Sequence, residues 1–322
     1  MSIAPYIKEI GRGKDGARPL NIEQAQDLFS QVLDQRASPA QVGAFCVAMR
    51  IKGETSPELQ GFWAATQARQ MPLPLSLAAA ASRAACPGIV ILPSYNGARR
   101  LPNLTALLAQ GLAAQGCAVL VHGLSSDPSR VTSRQVFAAT GLPVVHDDAQ
   151  LAEAWSRSLP AYLDIEQLNP GLHALLSMRW ELGLRNPGHT IAKLLDPWAG
   201  TASSLPRIRV VNHTHPEYAH SLTQFLIDTG ATAMLMRGTE GEPVADARRQ
   251  PRSDVFIRGL LDAGLSLAPQ EGVLQTLPEL PASCDAGSTA SYLHAVSKGD
   301  LPCPPAIAEQ ARALIAALGR LG

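Results

Sequence analysis

Residues 88–105 read Gly-Ile-Val-Ile-Leu-Pro-Ser-Tyr-Asn-Gly-Ala-Arg-Arg-Leu-Pro-Asn-Leu-Thr. A short apolar strand, Ile89 to Leu92, runs into a turn at 93–97, and Asn103 and Thr105 open the next apolar segment. In a strand–loop–helix unit this is where phosphates or a nucleotide are held, by backbone N–H groups and a helix N-terminus. Ser94, Asn96, Asn103 and Thr105 supply hydroxyls and amides suited to that chemistry. The loop is nonetheless not glycine-rich. It has a single glycine, Gly97, beside a tyrosine, Tyr95, and paired positive charge follows at Arg99 and Arg100.

A second loop after a strand carries His122, Gly123, Ser125, Ser126 and Thr132, with Arg130 and Arg134 nearby. From Ser94 to Arg134 four arginines stand against one acid, Asp127, a local net charge of +3. Loops at the carboxyl ends of parallel strands share one edge of the sheet, so the two loops are expected to face one cleft. Other candidates are weaker. Arg248, Arg249 and Arg252 are interleaved with acids and read as a solvated loop. Arg12, Lys14 and Arg18 suggest a mobile arm, weakened by Asp15 beside Lys14. His213 and His215 share a face of a strand, but no Cys or acid stands at a convincing spacing, so no metal site is assigned. No nucleophile elbow is visible, and no catalytic residue is assigned.

Two kinds of element must position these residues. The first seventy residues have helical periodicity. Asn21 caps a run carrying Ile22, Ala25, Leu28, Phe29, Val32 and Leu33. Ser38-Pro39 starts a second run that Gly53 ends, and Ser56-Pro57-Glu58 starts a third that Pro72 and Pro74 stop. Residues 75–87 look like a linker. Short strands are then expected at Ile89–Leu92, Ala118–His122, Val144–Val145, Ile208–Asn212, Ala233–Arg237 and Leu265–Ala268. Helical runs fall at Leu104–Gln115, Ser133–Thr140, Pro216–Thr229 and 304–321. The alternation predicts an α/β domain with a largely parallel central sheet. The expected organisation is a helical domain over 1–74, joined by helices from about 170–195, and an α/β domain over 86–322.

The bulk properties set bounds. The 322 residues are 46% hydrophobic and 17% charged, a globular composition with zero formal charge. Any basic surface must therefore be local. The five cysteines, Cys46, Cys86, Cys117, Cys284 and Cys303, lack metal spacing and read as reduced thiols of a cytoplasmic protein. No secretory signal and no membrane-length apolar run is seen.

The ordered motifs resemble anthranilate phosphoribosyltransferase and its nucleoside-phosphorylase-fold relatives over nearly the whole chain. They are Gln41-Val42-Gly43-Ala44-Phe45, Met49 to Thr55, the 89–105 loop, His122-Gly123, Arg179-Trp180-Glu181-Leu182-Gly183-Leu184-Arg185, His215-Pro216-Glu217 and Gly238-Thr239-Glu240-Gly241. Within that likeness three parts depart. Pro93-Ser94-Tyr95-Asn96-Gly97 stands where the family has Gly-Thr-Gly-Gly-Asp. Val121-His122-Gly123-Leu124 stands for Lys-His-Gly-Asn. No adjacent Asp-Glu pair for magnesium follows Gly241.

The closest resemblance is to nucleic-acid-binding members of this fold, in which Pro-Ser-Tyr-Asn-Gly-Ala-Arg and His189-Thr190-Ile191-Ala192-Lys193 replace the enzyme motifs. It implies a non-catalytic homodimer, joined through its N-terminal helices, that binds DNA or RNA without strong sequence preference. The contacts expected are Arg99, Arg100, Arg130, Arg134, Arg179, Arg185, His189 and Lys193 in a basic groove, with no cofactor. A residual ligand site is expected at Ser94, Tyr95, Asn96, Gly97, Asn103, Thr105, His122 and Gly123. The alternative is a phosphoribosyltransferase using phosphoribosyl pyrophosphate and Mg2+ on an acceptor other than anthranilate. A third reading is a small-anion or nucleotide sensor in the same cleft.

Overall fold

The computed structural model of the protein describes residues 2–13, 15–73, 87–199, 205–272 and 276–321. Most of the expected linker, Lys14 of the expected arm, and Cys86 lie outside the described residues.

Four helices come first: α1 (Ala4–Ile10), α2 (Ile22–Leu33), α3 (Pro39–Lys52) and α4 (Ser56–Gln67). Their starts follow from local chemistry. Asn21 with Gln24, and Ser38 with Gln41, form reciprocal capping boxes, and proline occupies the first turn of α3 and of α4. Helices α2 and α4 meet closely at Gly61, where a Cβ would lie 2.4 Å from the Ile22 carbonyl oxygen. Phe29 stacks on Phe62 at 4.7 Å between ring centres, and Phe45 meets both edge-on.

The second part is a sheet of eight strands in the order β3-β4-β2-β1-β5-β6-β7-β8. They are β1 (Ile89–Ser94), β2 (Ala118–Gly123), β3 (Val144–Val145), β4 (Ala161–Asp164), β5 (Arg207–His213), β6 (Ala233–Arg237), β7 (Ser253–Ile257) and β8 (Leu260–Leu261). The pairings from β3 through β6 are parallel, and β7 and β8 add an antiparallel edge. Helices α5 (Thr105–Ala114), α6 (Ser133–Thr140), α7 (Asp148–Ser156) and α12 (Glu217–Asp228) connect or cover the strands. Between β4 and β5 run four short helices: α8 (Ile165–Leu168), α9 (Pro170–Ser177), α10 (Arg179–Leu182) and α11 (Gly188–Ile191). Helices α13 (Ala286–Lys298) and α14 (Pro305–Gly319) close the chain.

Strand parity splits the core. Ile89, Ile91, Ala118, Leu120, Ala161 and Leu163 face the N-terminal helices, with α7 and α12, in one continuous cluster. Val90, Leu92, Val119, Val121, Ile208 and Val210 face α5, α6, α13 and α14. Helix α9 packs on α2, and a Cβ at Gly171 would lie 2.6 Å from the Leu33 carbonyl oxygen. The 170–177 segment thus shares the N-terminal core.

Several expectations are corrected. Strands β4, β7 and β8 and helices α1, α7 and α13 were not legible from periodicity. The expected strand Leu265–Ala268 is reduced to one bridge between Leu267 and Ser253. Among the described residues, no helix is long and apolar enough to cross a membrane.

Candidate functional site

The carboxyl end of β1 delivers Ser94, Asn96 and Gly97 to a point also faced by Asn103, Thr105 and Ser133. All six converge on one carboxylate, that of Glu242, which is fully buried. The backbone N–H groups of Asn96 and Gly97 each donate to Glu242 Oε1 at 2.8 Å. Ser94 Oγ donates to Oε2, as do Ser133 Oγ at 3.1 Å, Asn103 Nδ2 at 3.4 Å and Thr105 Oγ1 at 3.4 Å. Thr105 and Ser133 are the first residues of α5 and α6, so the positive ends of two helices point at this charge.

Glu240 repeats the pattern beside it. Its carboxylate accepts from the backbone N–H groups of Arg99 (3.1 Å), Arg100 (2.7 Å) and Leu101 (2.9 Å). The turn joining the two glutamates fits because residue 241 is glycine. Its φ is +87°, and a Cβ there would lie 1.6 Å from Asn96 Nδ2.

A pocket of about 320 Å³ adjoins this nest and shares Asn96 with it. Arg185, His189 and Lys193 line it from the α10–α11 region, Asn212, His213 and His215 from the end of β5, and Arg50 and Glu54 from the helical bundle. Among the described residues, neither Arg185 nor Lys193 has a carboxylate within 4 Å (compare Arg179, 3.2 Å from Asp127). Burial, and then Arg185, hold the Lys193 ammonium down at about 7. Burial, with Arg179 and Arg130 adding repulsion, lowers Arg185 to about 10. Glu54 goes the other way. Burial of its carboxyl, with a smaller push from Glu58, raises it to about 7. Burial also keeps His189 and His213 below the ordinary imidazole range, hence neutral near pH 7. Among the described residues, four lining residues carry a buried polar atom with no hydrogen-bond partner: Asn96 Oδ1, Asn212 Oδ1, His189 Nε2 and His213 Nδ1. Other such atoms lie elsewhere among the described residues, as at Gln31, Asp164 and Tyr292, and these four line one cavity.

The protein's relatives accord with this architecture. The glycosyl transferase family, helical bundle domain, matches residues 4–69. Escherichia coli (strain K12) has a relative, the uncharacterized protein YbiB, 33% identical over 319 residues, or 99% of this chain and 95% of its own. The chain belongs to the YbiB family. Its fold is that of anthranilate phosphoribosyltransferase. The Thermus thermophilus enzyme superposes with a TM-score of 0.72 at 20% identity, covering 98% of this chain and 89% of its own. The Saccharomyces cerevisiae enzyme, in complex with PRPP and Mg, gives 0.63 at 14% identity, covering 99% and 95%.

The reading as a non-catalytic DNA- or RNA-binding protein is overturned by relatives that are enzymes, among them the anthranilate phosphoribosyltransferase of Methylobacterium nodulans (strain LMG 21967 / CNCM I-2342 / ORS 2060), 25% identical over 304 residues, or 92% of this chain and 83% of its own. The expectation of no cofactor falls with it, since the yeast neighbour is in complex with PRPP and Mg. The expected contacts differ in their surroundings. Arg99 and Arg100 are exposed and meet Glu240 through their backbone. Arg130 pairs with Glu240 at 3.5 Å, and Arg134 pairs with Asp164 at 3.0 Å. Arg179 pairs with Asp127 and lies over the Trp180 ring. Arg185, His189 and Lys193 enter the pocket. Arg99, Arg130, Arg179, Arg185, His189 and Lys193 nonetheless lie within electrostatic reach of one another in series, with Glu240 and Asp127 neutralising part of the charge.

Of the residual-site residues, Ser94, Asn96, Gly97, Asn103 and Thr105 meet at Glu242. Tyr95 does not obstruct the loop. It turns into the core, where its hydroxyl meets His122 Nδ1 at 2.6 Å. Burial drives His122 down to about 3, so the pair is a neutral structural contact. Gly123 allows β2 to lie against Ser94, where a Cβ would be 1.8 Å from the Ser94 carbonyl oxygen. Sequence reasoning missed Glu242, Glu240, Ser133, Glu54 and Asn212. Glu242 had one signal, a glutamate in a Gly-x-Glu-Gly-Glu turn next to an apolar Val-Ala pair.

A magnesium ion does not fit the carboxylates as they stand. Glu242 and Glu240 direct their oxygens at N–H and O–H donors. Among the described residues, no group of three or more His, Cys, Asp or Glu is placed to hold a metal. No step below is routed through the ion.

Proposed function

We propose that the protein is a pentosyltransferase of the anthranilate phosphoribosyltransferase type, acting on an acceptor other than anthranilate. The observation that carries this reading is the pocket, with two cations and four polar atoms that lack partners among the described residues, beside a phosphate-type loop. Arg185 and Lys193 call for an anionic group on the acceptor. The two asparagine oxygens, as acceptors only, call for N–H donors on it. An anionic amine or amide meets both demands.

In the proposed reaction the acceptor nitrogen attacks C1 of phosphoribosyl pyrophosphate. The C1–N bond forms, the bond from C1 to the pyrophosphate oxygen breaks, and pyrophosphate leaves with the bonding pair. The nitrogen's proton passes to a pocket base. Glu54 titrates near neutrality, where a group can take and return a proton efficiently. Positioning by Arg185 and the asparagines supplies orientation.

The test is pyrophosphate release from phosphoribosyl pyrophosphate and Mg2+ across a panel of anionic amines and amides. Release with a panel member, lost in Arg185→Ala, supports the reading. No release with any member, from wild type or from Glu242→Ala, overturns it.

The homodimer implied by the family resemblance is a second proposal. Its support is the exposure of Val47 (39%) and Ile51 (61%) on α3. Light scattering is expected to give about twice the 34.1 kDa chain mass, and a monomer would contradict it.

A further inference from the structure

Six donors are more than one carboxylate needs. Two of them are consecutive backbone N–H groups of a loop after a strand, and two are hydroxyls that begin helices. That arrangement is an anion receptor by construction. A phosphoryl group, with three peripheral oxygens, would divide the donors more evenly than two carboxylate oxygens do.

We infer that the nest of Ser94, Asn96, Gly97, Asn103, Thr105 and Ser133 is a phosphoryl-binding site held in reserve by the chain's own Glu242. The carboxylate stands in for a phosphate and withdraws when a phosphate or pyrophosphate group enters. The inference rests on the functional reading above and deepens it. It names what must leave before a donor's phosphates can bind.

Three further observations support displacement. The segment that delivers Glu242 is a single turn, Thr239–Gly241, rather than a strand or long helix. Within it Glu240 has φ +50°, a left-handed conformation that a non-glycine residue adopts at a cost. Beyond the nest, Glu242 is a negative charge that partly offsets Lys193 and, together with Asp127, Arg185. Its withdrawal would strengthen the pull of those cations, Lys193 above all, on an incoming anion, so displacement and anion binding favour one another.

The experiment uses the full chain as wild type, Glu242→Ala and Glu242→Gln, with inorganic pyrophosphate as probe. Thermal melting and calorimetry are run on each. The Ala variant is expected to melt lower than wild type and to be restored by pyrophosphate, because a ligand of the folded state stabilises it. It should also bind pyrophosphate about tenfold or more tightly than wild type, with the neutral Gln variant between the two. If the Ala variant does not fold, the Gln variant carries the comparison. Equal, measurable binding by wild type and variants overturns the stand-in and leaves the pentosyltransferase reading intact. No binding by any of the three overturns the stand-in and takes the donor site of that reading with it.

Discussion

Two anion-receptive regions sit side by side at the carboxyl end of the sheet and share Asn96. In the nest every donor around Glu242 is matched within the chain. In the pocket, Arg185 and Lys193 have no carboxylate within 4 Å among the described residues, and four polar atoms lack partners. The contrast teaches that loss of a glycine-rich loop did not remove anion-binding chemistry. One region brings its own anion, and the other is left to receive one. A buried charge without a partner lowers stability, so its retention points to binding rather than folding.

The comparison breaks most sharply at Glu242. Replacing it by Ala leaves buried donors without an acceptor, and about 3 kcal/mol or more of stability should be lost, measured by urea unfolding. A loss under about 1 kcal/mol would show that the donors find other partners easily.

Arg185→Ala should behave in the opposite way. Binding of anionic ligands to the pocket should weaken by about tenfold to a hundredfold, the range for a charged hydrogen bond. Stability should change little or rise, because a desolvated cation is removed. A large stability loss with unchanged affinity would make Arg185 a structural residue.

Lys193 sharpens the contrast through pH. Its ammonium is charged below about 7 in the folded chain, against 10.5 ordinarily. Anion affinity should therefore fall as pH rises through 7. Glu54, ionising over the same range, pushes in the same direction. Stability moves the other way. Between about 7 and 10.5 the unfolded chain carries the extra proton, so stability rises with pH across that window. Lys193→Met should remove this rise and flatten much of the affinity profile. An unchanged profile in both Lys193→Met and Glu54→Gln would assign the pH dependence to the ligand.

The smallest effect is expected at Arg99 and Arg100. Their side chains are exposed, and Glu240 is held by their backbone N–H groups, which Ala retains. The double Ala variant should stay within about 0.5 kcal/mol of wild type and keep pyrophosphate affinity. A large loss would restore these side chains to the site.

Much of the fold was legible where periodicity and caps agree. Asn21 and Ser38 mark helix starts at the residues where the structure caps them. Apolar runs such as Ile89–Leu92 mark central strands buried on both faces. The missed elements lack that signal. Ala161–Asp164 is four residues long and ends in an acid, Ser253–Ile257 includes Asp254, and Leu260–Leu261 is exposed. The site was half legible. Ser94, Asn96, Gly97, Asn103 and Thr105 are recognisable as anion donors by type and position. Counting local charge misleads about the arginines, because Glu240 and Asp164 reach Arg130 and Arg134 from other segments. Tyr95 was readable through parity, since it follows Ile89 and Ile91 onto the face toward the helical bundle. Glu242 was not, because a single glutamate in a turn looks solvated until the fold closes over it.

The most direct test of the central claim is calorimetric titration of phosphoribosyl pyrophosphate, with Mg2+ present, into wild type and Glu242→Ala. Saturable heat in both, stronger in the variant and abolished by adding Arg185→Ala, is the predicted result. Absence of heat in both would contradict the assignment of this cleft to pentosyl transfer.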